Sequence, residues 1–280
     1  MKVIDVDKKV WMITGCSSGI GWGIAKAALS AGDYVVMTAR KTDLLSQLAL
    51  MHPERAIAMQ MDVTDTTEMD TVVKETLNHF GQIDVLVNNA GYGYRAAIEE
   101  SEDDEIQKLF DVNVFAPVRL IKRVLPAMRK QKRGLVINIT SIGGIRGAVG
   151  NGMYSAAKGA MELVTDTLYK ECEPLGIKVM MVEPGAFRTA FYDNLRGTAE
   201  NIGDYADTAG KWHIENMKNM RKQPGDPEKA GEVLVRLAGM ENLPKHFAMG
   251  SDAVKIIEAE YTARLAELKE WSEVSSQTDF

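Results

Sequence analysis

Only two cysteines and four histidines occur among the 280 residues of the chain. Cys16 and Cys172 cannot form the set of several disulfides that stabilises small secreted domains, and they give no zinc-ligand spacing. The histidines also stand too far apart to provide a ligand pair on one helix: His52, His79, His213 and His246. We therefore expect no metal site.

Long apolar runs and an excess of basic residues are missing as well. No segment approaches the roughly 18 consecutive apolar residues of a membrane span. Met1–Asp7 alternates charged residues with Val and Ile and does not resemble a signal peptide. The 33 Lys and Arg residues are scattered and are outnumbered by 39 Asp and Glu residues, which leaves a net charge of −6. We expect a cytoplasmic protein without a nucleic-acid or membrane partner.

Apolar residues make up 45% of the chain, which suffices for the core of one large domain. Short apolar runs predict seven strands, at Lys9–Ile13, Tyr34–Thr38, Ala56–Met61, Ile83–Asn88, Leu135–Thr140, Ile177–Val182 and His246–Gly250. Helical spacing of apolar residues recurs between them, at Ile20–Ala31, Asp43–Met51, Thr66–Phe80, Asp103–Lys130, Tyr154–Glu173 and Pro227–Met240.

This alternation predicts an α/β fold, a Rossmann-like doubly wound parallel sheet of about seven strands with helices on both faces. We expect a single domain over residues 1–280. Residues 187–223 have weak periodicity, and we interpret them as a substrate lid inserted before the last helix and strand.

The segment directly after the first predicted strand reads TGCSSGIG, from Thr14 to Gly21. A glycine-rich turn at the carboxyl end of a first parallel strand lets the backbone approach a pyrophosphate, and the following helix directs its free N–H groups at that anion. The spacing of Gly15, Gly19 and Gly21 differs from the common G-x-G-x-x-G fingerprint, so an ordinary Gly/Ser turn is the alternative.

Further motifs follow in order along the chain. Thr14–Gly21 resembles the T-G-x-x-x-G-x-G motif of the short-chain dehydrogenase/reductase family, and Asn88–Gly91 resembles its N-N-A-G motif. Tyr154–Lys158 resembles the Y-x-x-x-K signature, with Ser141 thirteen residues upstream. Pro184–Gly185 completes the set, and the resemblance extends from about residue 9 to residue 251.

The resemblance implies an oxidoreductase that transfers a hydride between a nicotinamide cofactor and a carbonyl or alcohol. The catalytic residues that it implies are Asn113, Ser141, Tyr154 and Lys158. The cofactor-binding residues would be Gly15, Ser17, Ser18, Gly19, Ile20, Gly21, Arg40, Asp62, Val63, Asn89, Ala90, Gly91, Tyr154, Lys158, Pro184, Gly185, Phe187 and Thr189. By the same resemblance, Lys158 holds the nicotinamide ribose and Asn113 anchors a water that links Lys158 to solvent.

The chemistry of Tyr154 and Lys158 can also be argued from their spacing. Residues four apart on a helix share a face, so the ammonium can lie near the phenol. Lowering the pKa of a tyrosine from about 10 to about 7 takes roughly 4 kcal/mol of preferential stabilisation of the phenolate. We expect Lys158 and an oxidised nicotinamide ring to supply it. Tyr154 would then be the general acid in reduction and the general base in oxidation.

Cofactor choice depends on the end of the second predicted strand. NAD enzymes carry an acid about 20 residues after the glycine loop, whereas this chain has Ala39 followed by Arg40. A guanidinium can bind the 2′-phosphate of NADP, and no carboxylate repels it. We therefore expect NADP(H), with Lys41 as a residue that could share the role of Arg40.

Aromatic and apolar residues dominate the expected pocket walls, which include Tyr92, Tyr94, residues 142–153, Phe191, Tyr192, Tyr205 and Trp212. They favour a small hydrophobic secondary alcohol or ketone, and Arg95 or Arg146 could meet a carboxylate if either points inward. Three alternatives stay open: a catalytically idle NADPH-binding protein, a ketoacyl reductase acting on a carrier protein, and a sugar-nucleotide epimerase or dehydratase of related fold. Apolar residues on more than one face of the helices from Asp103 and Tyr154 predict a homodimer or homotetramer.

Overall fold

The computed structural model of the protein describes residues 7–199, 202–211 and 222–280. Its strands are β1 (Val10–Thr14), β2 (Tyr34–Ala39), β3 (Ala56–Gln60), β4 (Val85–Asn88), β5 (Tyr94–Arg95), β6 (Gly134–Ile139), β7 (Ile177–Pro184), β8 (Arg196–Gly197) and β9 (His246–Met249). The α-helices are α1 (Gly19–Ser30), α2 (Asp43–Met51), α3 (Thr66–Phe80), α4 (Asp103–Phe110), α5 (Ala116–Gln131), α6 (Ile142–Ile145), α7 (Gly152–Cys172), α8 (Pro227–Ala238), α9 (Ser251–Glu270) and α10 (Ser272–Ser276).

The strands predicted from the sequence form one parallel sheet of seven, in the order β3-β2-β1-β4-β6-β7-β9. The strand order reverses at β1, which pairs with β2 on one side and with β4 on the other. Ligands of open parallel sheets bind in the crevice beyond the carboxyl ends of the strands at such a reversal. The topology therefore places the glycine-rich segment after β1 at the expected binding crevice.

Both faces of the sheet are covered, because alternate residues of each strand point to opposite sides. On one face, Trp11 and Ile13 of β1 pack in a core cluster that includes Leu234 of α8. On the other face, Val10 and Met12 pack in a cluster that includes residues of α3, α5 and α7. The doubly wound Rossmann-like α/β domain predicted from the sequence is confirmed.

One predicted helix, Asp103–Lys130, is divided in the structure. A π-helical turn at Asp111–Phe115 separates α4 from α5. Turns of this kind are rare and occur often at functional sites, and this one contains Asn113. The extra residue per turn reorients the side chains within an apolar pattern that otherwise predicts a continuous helix.

The helices that follow β9 were not predicted from the sequence. Only Ala253 and Ile257 of α9 are buried, and every described side chain from residue 261 onward is exposed. Apolar residues do recur every three or four positions, at Val254, Ile257, Tyr261, Leu265 and Leu268, so the helical pattern is present in the sequence although most of these side chains are exposed. None of the described helices combines the length and apolar composition that crossing a bilayer requires.

The proposed lid, residues 187–223, is described in part. Its Arg196–Gly197 strand pairs with Tyr94–Arg95 after β4, which brings this segment beside the crevice. Trp212, expected in the pocket wall, lies outside the described residues. The lid role stays a prediction.

Candidate active site

A cleft of about 750 Å³ lies at the carboxyl ends of the central strands. Most of the residues singled out from the sequence line it: Gly15, Ser17, Ser18, Gly19, Ile20, Arg40, Asp62, Val63, Asn89, Ala90, Gly91, Ser141, Tyr154, Lys158, Pro184, Gly185, Phe187 and Thr189. Gly21 and Asn113 lie directly behind the lining, against Asn89 and Gly91 respectively. The fold therefore collects motifs from distant parts of the chain in one cavity.

Hydrogen bonds hold the glycine-rich turn against the loop after β4. The Thr14 hydroxyl accepts hydrogen bonds from the backbone N–H groups of Asn89 and Ala90, both at 3.0 Å. The Asn89 amide donates back to the carbonyls of Thr14 and Gly15, at 2.8 and 3.1 Å. A Cβ at Gly21 would lie 2.4 Å from Nδ2 of Asn89, so this contact requires glycine.

The N-terminus of α1 is suited to bind an anion. Gly15 and Gly19 have φ angles of 69° and 62°, a region that favours glycine and turns the backbone into the helix. Ser18 is the N-cap residue, but its side chain forms no capping hydrogen bond with the described residues. The first turn of α1, with its N–H groups and the positive end of the helix dipole, thus borders the cleft, an arrangement that fits a pyrophosphate.

Arg40 and Asp62 follow the neighbouring strands β2 and β3 and line the same end of the cleft. Partial burial raises the pKa of Asp62, but the hydrogen bonds from Thr64 and the charge of Arg40 together hold it below its usual value. Arg40 is exposed, and Ala39 before it is buried. The described geometry leaves the guanidinium accessible to a ligand in the cleft.

Tyr154 and Ser141 meet deeper in the cavity. Tyr154 is buried near the start of α7, while Ser141 caps α6 and accepts a hydrogen bond from the Gly143 N–H at 3.0 Å. Burial raises the pKa of Tyr154, and the hydrogen bond with Ser141 and the charge of Arg95 oppose that rise. The expected lowering of this pKa depends on an oxidised nicotinamide ring as well as on Lys158, and in the protein alone removal from water disfavours the phenolate more than the nearby groups stabilise it.

Lys158 lies one helical turn after Tyr154, as the spacing predicts. Its Nζ is 5.8 Å from the centre of the Tyr154 ring and donates a hydrogen bond to the carbonyl of Ile139 at 2.9 Å. Burial lowers the pKa of Lys158 to about 8, although the charge of Glu162 raises it in part. The ammonium is thus fixed between the end of β6 and the phenol.

Behind Lys158 lies a group that the sequence analysis did not find. Glu162 on α7, Glu183 on β7 and His246 on β9 offer ligand atoms within 4.8 Å of one another. The His246 Nδ1 is 2.8 Å from a carboxylate oxygen of Glu183 and 3.9 Å from one of Glu162. Because the three residues come from different elements, only the assembled sheet brings them together, and the wide spacing of the histidines could not reveal it.

Asn113 has both ends of its amide engaged. Its Nδ2 donates to the Tyr92 carbonyl at 2.9 Å, and its Oδ1 accepts from the Tyr92 N–H at 3.2 Å. A Cβ at Gly91 would lie 2.7 Å from this Oδ1 and 3.6 Å from the Lys158 Nζ, so the glycine keeps the two side chains in reach of each other. The position fits the resemblance, and the water-anchoring role stays a proposal.

The substrate end of the cleft differs from the expectation at several residues. Of residues 142–153, those that line it are Ile142, Gly143, Arg146, Ala148 and Asn151. Tyr92, Phe191 and Tyr192 line it as expected. Tyr94 instead is buried in a core cluster. The Tyr205 hydroxyl donates a hydrogen bond of 2.7 Å to Glu99, and neither residue belongs to the cleft lining.

Two arginines that the sequence left open also border this end. Arg146 is exposed, whereas Arg95 is half-buried and holds its guanidinium carbon 5.7 Å from the centre of the Tyr154 ring. Burial lowers the pKa of Arg95, which the nearby tyrosines partly offset. Because Arg95 and Tyr154 lie far apart in the sequence, no sequence motif predicts this contact.

Comparison with known proteins agrees with this site. The sequence pattern of the family described as short chain dehydrogenase matches residues 9–200. A short-chain dehydrogenase from Streptomyces avermitilis is 42% identical, with a TM-score of 0.91 over 98% of this chain and 100% of its own.

Two curated relatives match over most of their length. The oxidoreductase BOA17 of Botryotinia fuckeliana is 34% identical over 95% of this chain and 98% of its own length. A 3-ketodihydrosphingosine reductase of Bacteroides thetaiotaomicron is also 34% identical, over 86% and 88%. With the motifs assembled in one cleft, the chain belongs to the short-chain dehydrogenase family and is an oxidoreductase of that type.

Proposed function

We propose that the protein reduces a ketone with NADPH, or oxidises the corresponding secondary alcohol with NADP, and that Tyr154 is the general acid/base. The observation that carries the proposal is the meeting of Tyr154, Ser141 and Lys158 in the same cleft as the uncapped start of α1. A nicotinamide cofactor bound in this cleft supplies the hydride acceptor or donor.

The residues at the glycine-rich end suit the adenosine and pyrophosphate parts of that cofactor. The first-turn N–H groups of α1 would hold the pyrophosphate, and Asp62, Val63, Asn89, Ala90 and Gly91 would surround the adenosine. Lys158 would bind the nicotinamide ribose, while Pro184, Gly185, Phe187 and Thr189 would hold the nicotinamide.

Arg40 supports the choice of NADP(H). The side chain is exposed at the mouth of the cleft, next to a buried alanine where an NAD enzyme carries an acid. A charge-assisted contact between guanidinium and phosphate is worth about 1.5–3 kcal/mol.

Residues of the protein would supply the proton that the reduction consumes. In the reducing direction a C–H bond forms at the carbonyl carbon, the C=O π bond breaks, and Tyr154 donates its phenolic proton to the oxygen. Ser141 would hydrogen-bond the same oxygen and hold it at the phenol. Lys158 would then stabilise the phenolate until a proton from solvent restores it, and the reverse steps oxidise the alcohol.

The aromatic lining favours an apolar substrate. Phe191 packs against Tyr154 with ring centres 5.7 Å apart and against Tyr192 at 5.6 Å. These rings would contact the part of the substrate that does not react, which supports a hydrophobic ketone or secondary alcohol.

A screen of ketones with NADPH, and of secondary alcohols with NADP, tests the proposal through absorbance of the reduced nicotinamide. We expect turnover of at least one aryl ketone by the wild type and a loss of at least about 10²-fold in Tyr154→Phe. Tight binding of NADPH without turnover of any carbonyl compound would instead favour the idle, NADPH-binding alternative.

A further inference from the structure

Arg95 occupies the substrate end of the cleft and is held there by its backbone. It belongs to β5, which pairs with β8, and its guanidinium carbon lies 5.7 Å from the centre of the Tyr154 ring. The side chain is half-buried and lines the cavity beside Tyr192. A positive charge thus stands next to the proton donor, on a short parallel strand pair whose register fixes its position.

The hydrogen bonds of this guanidinium do not neutralise its charge. Nη1 donates to the carbonyl of Tyr94 at 3.3 Å and to the side-chain oxygen of Asn151, and both acceptors are neutral. Among the ion pairs of residues 7–199, 202–211 and 222–280, none involves Arg95. Removing a cation from water without a counter-ion is costly, and the described residues supply no carboxylate to Arg95.

Arg196 provides the contrast within the same cavity. It also lines the cleft, but its Nη1 lies 3.1 Å from a carboxylate oxygen of Glu105. Its charge is therefore already paired within the protein, and it is about half exposed to solvent. Of these two arginines beside the substrate end, the more buried one is the one that lacks a carboxylate.

We propose that Arg95 binds a carboxylate of the substrate, so that the enzyme acts on an apolar oxo acid or the corresponding hydroxy acid. The inference rests on the proposed carbonyl reduction, which sets where the reacting oxygen lies. That oxygen must come within about 3 Å of the Tyr154 hydroxyl, and a carboxylate bound by Arg95 lies about 2.8 Å from its nitrogens. Because the guanidinium carbon lies 5.7 Å from the centre of the Tyr154 ring, the carboxylate and the carbonyl would be separated by only a few bonds, and the aromatic walls would receive the rest of the molecule.

Benzoylformate and its methyl ester form a matched pair of substrates for this test. They share the ketone and the ring and differ in the charge that Arg95 would bind. Arg95→Met should lower kcat/KM for benzoylformate about 10- to 150-fold more than for the ester, the range expected for losing a charge-assisted contact, because the effect of the lost charge on Tyr154 is common to both substrates. Arg196→Met, whose charge is already paired, should change both less than about threefold.

Binding of phenylacetate, measured by calorimetry with NADP present, decides the inference independently of turnover. The wild type and Arg196→Met should bind it, and Arg95→Met should bind it at least about tenfold more weakly. Absence of phenylacetate binding to the wild type contradicts the inference, as does an equal loss of kcat/KM for acid and ester in Arg95→Met. In either case, reduction of neutral ketones would leave the proposed function standing, whereas failure to reduce any ketone would overturn that function separately.

Discussion

Lys158 and Glu162 lie one turn apart on α7, and both side chains are buried, Lys158 in the cleft lining and Glu162 behind it. Each acts on the pKa of the other: the Glu162 charge raises that of Lys158, and the Lys158 charge lowers that of Glu162. Burial dominates for both groups, so the pKa of Lys158 falls to about 8 and that of Glu162 rises to about 7. Near neutral pH, the catalytic lysine therefore has a neighbour that changes charge.

Glu162→Gln should reveal this titration in the pH dependence of stability. Burial and the nearby Glu183 raise the pKa of Glu162, and the neighbouring Lys158 opposes them. In the wild type, the protonated carboxyl then contributes stability that is fully present below the unfolded value of about 4.5 and is lost as pH rises through about 7. Urea unfolding at pH 5 and pH 8 should show the variant gaining about 2 kcal/mol relative to the wild type over this range.

Glu171→Gln provides the control, because Glu171 lies on the same helix and is exposed. Its stability should follow that of the wild type over the same pH range. Parallel curves for the wild type and Glu162→Gln would show that the buried carboxyl does not titrate there.

Lys158→Ala should shift the pH optimum of alcohol oxidation upward by about a unit and weaken cofactor binding. The substitution removes the ammonium that lies 5.8 Å from the Tyr154 ring, so the phenolate loses a stabilising charge and the pKa of Tyr154 rises further. Initial rates across pH and titration of NADPH fluorescence measure the two effects. Lys170→Ala, near the end of the same helix and exposed, serves as the control, and an unchanged pH profile in Lys158→Ala would refute the coupling.

Arg40→Leu should reduce the preference for NADPH over NADH by about 10- to 150-fold, the equivalent of one charge-assisted contact. The exposed guanidinium at the cleft mouth would lose its 2′-phosphate partner, while NADH binding should change little. Dissociation constants for both reduced cofactors measure the effect. Lys41→Leu is the matched control. A larger loss of the NADPH preference in Lys41→Leu than in Arg40→Leu would assign 2′-phosphate binding to Lys41.

The double substitution Ala39→Asp and Arg40→Leu should change the cofactor preference more than Arg40→Leu alone. It introduces a carboxylate suited to the ribose hydroxyls of NADH and unfavourable for a 2′-phosphate. We expect the preference to reverse toward NADH. Continued preference of this variant for NADPH would place the discriminating contact elsewhere in the cleft.

A homo-oligomer remains our prediction for the solution state. Of the apolar residues on α7, Leu163 is 72% exposed, which leaves an apolar side chain for a partner helix. Leu163→Glu should then shift the mass measured by sedimentation or light scattering toward the monomer. Leu265→Glu, at an exposed apolar position of α9, tests a helix outside the two that the sequence singled out. A wild type that is monomeric at micromolar concentration would refute the prediction.

Local chemistry made much of the site predictable from the sequence. The glycines of the first turn are required by positive φ angles and close approaches, and Tyr154 and Lys158 are four residues apart on one helix, so their placement needs only local geometry. The strands were predictable for a similar reason, because a strand buried on both faces is a short apolar run between breakers.

Contacts between distant segments were not predictable. The approach of Arg95 to Tyr154 depends on the pairing of β5 with β8, and the meeting of Glu162 with His246 depends on the order of β7 and β9 in the sheet. The spacing of Tyr154 and Lys158 is visible in the sequence, whereas the burial that raises the pKa of Tyr154 in the protein alone is not.

The single-turnover rate of NADPH oxidation by Tyr154→Phe decides whether Tyr154 donates the proton. A ketone reduced by the wild type, offered at saturation, should react at least about 10²-fold more slowly with the variant, because the phenyl ring cannot donate a proton. The dissociation constant of NADPH should stay within about threefold, and Tyr169→Phe, on the same helix, should behave as the wild type. A Tyr154→Phe variant that binds NADPH normally and reduces the ketone at nearly the wild-type rate would contradict the account.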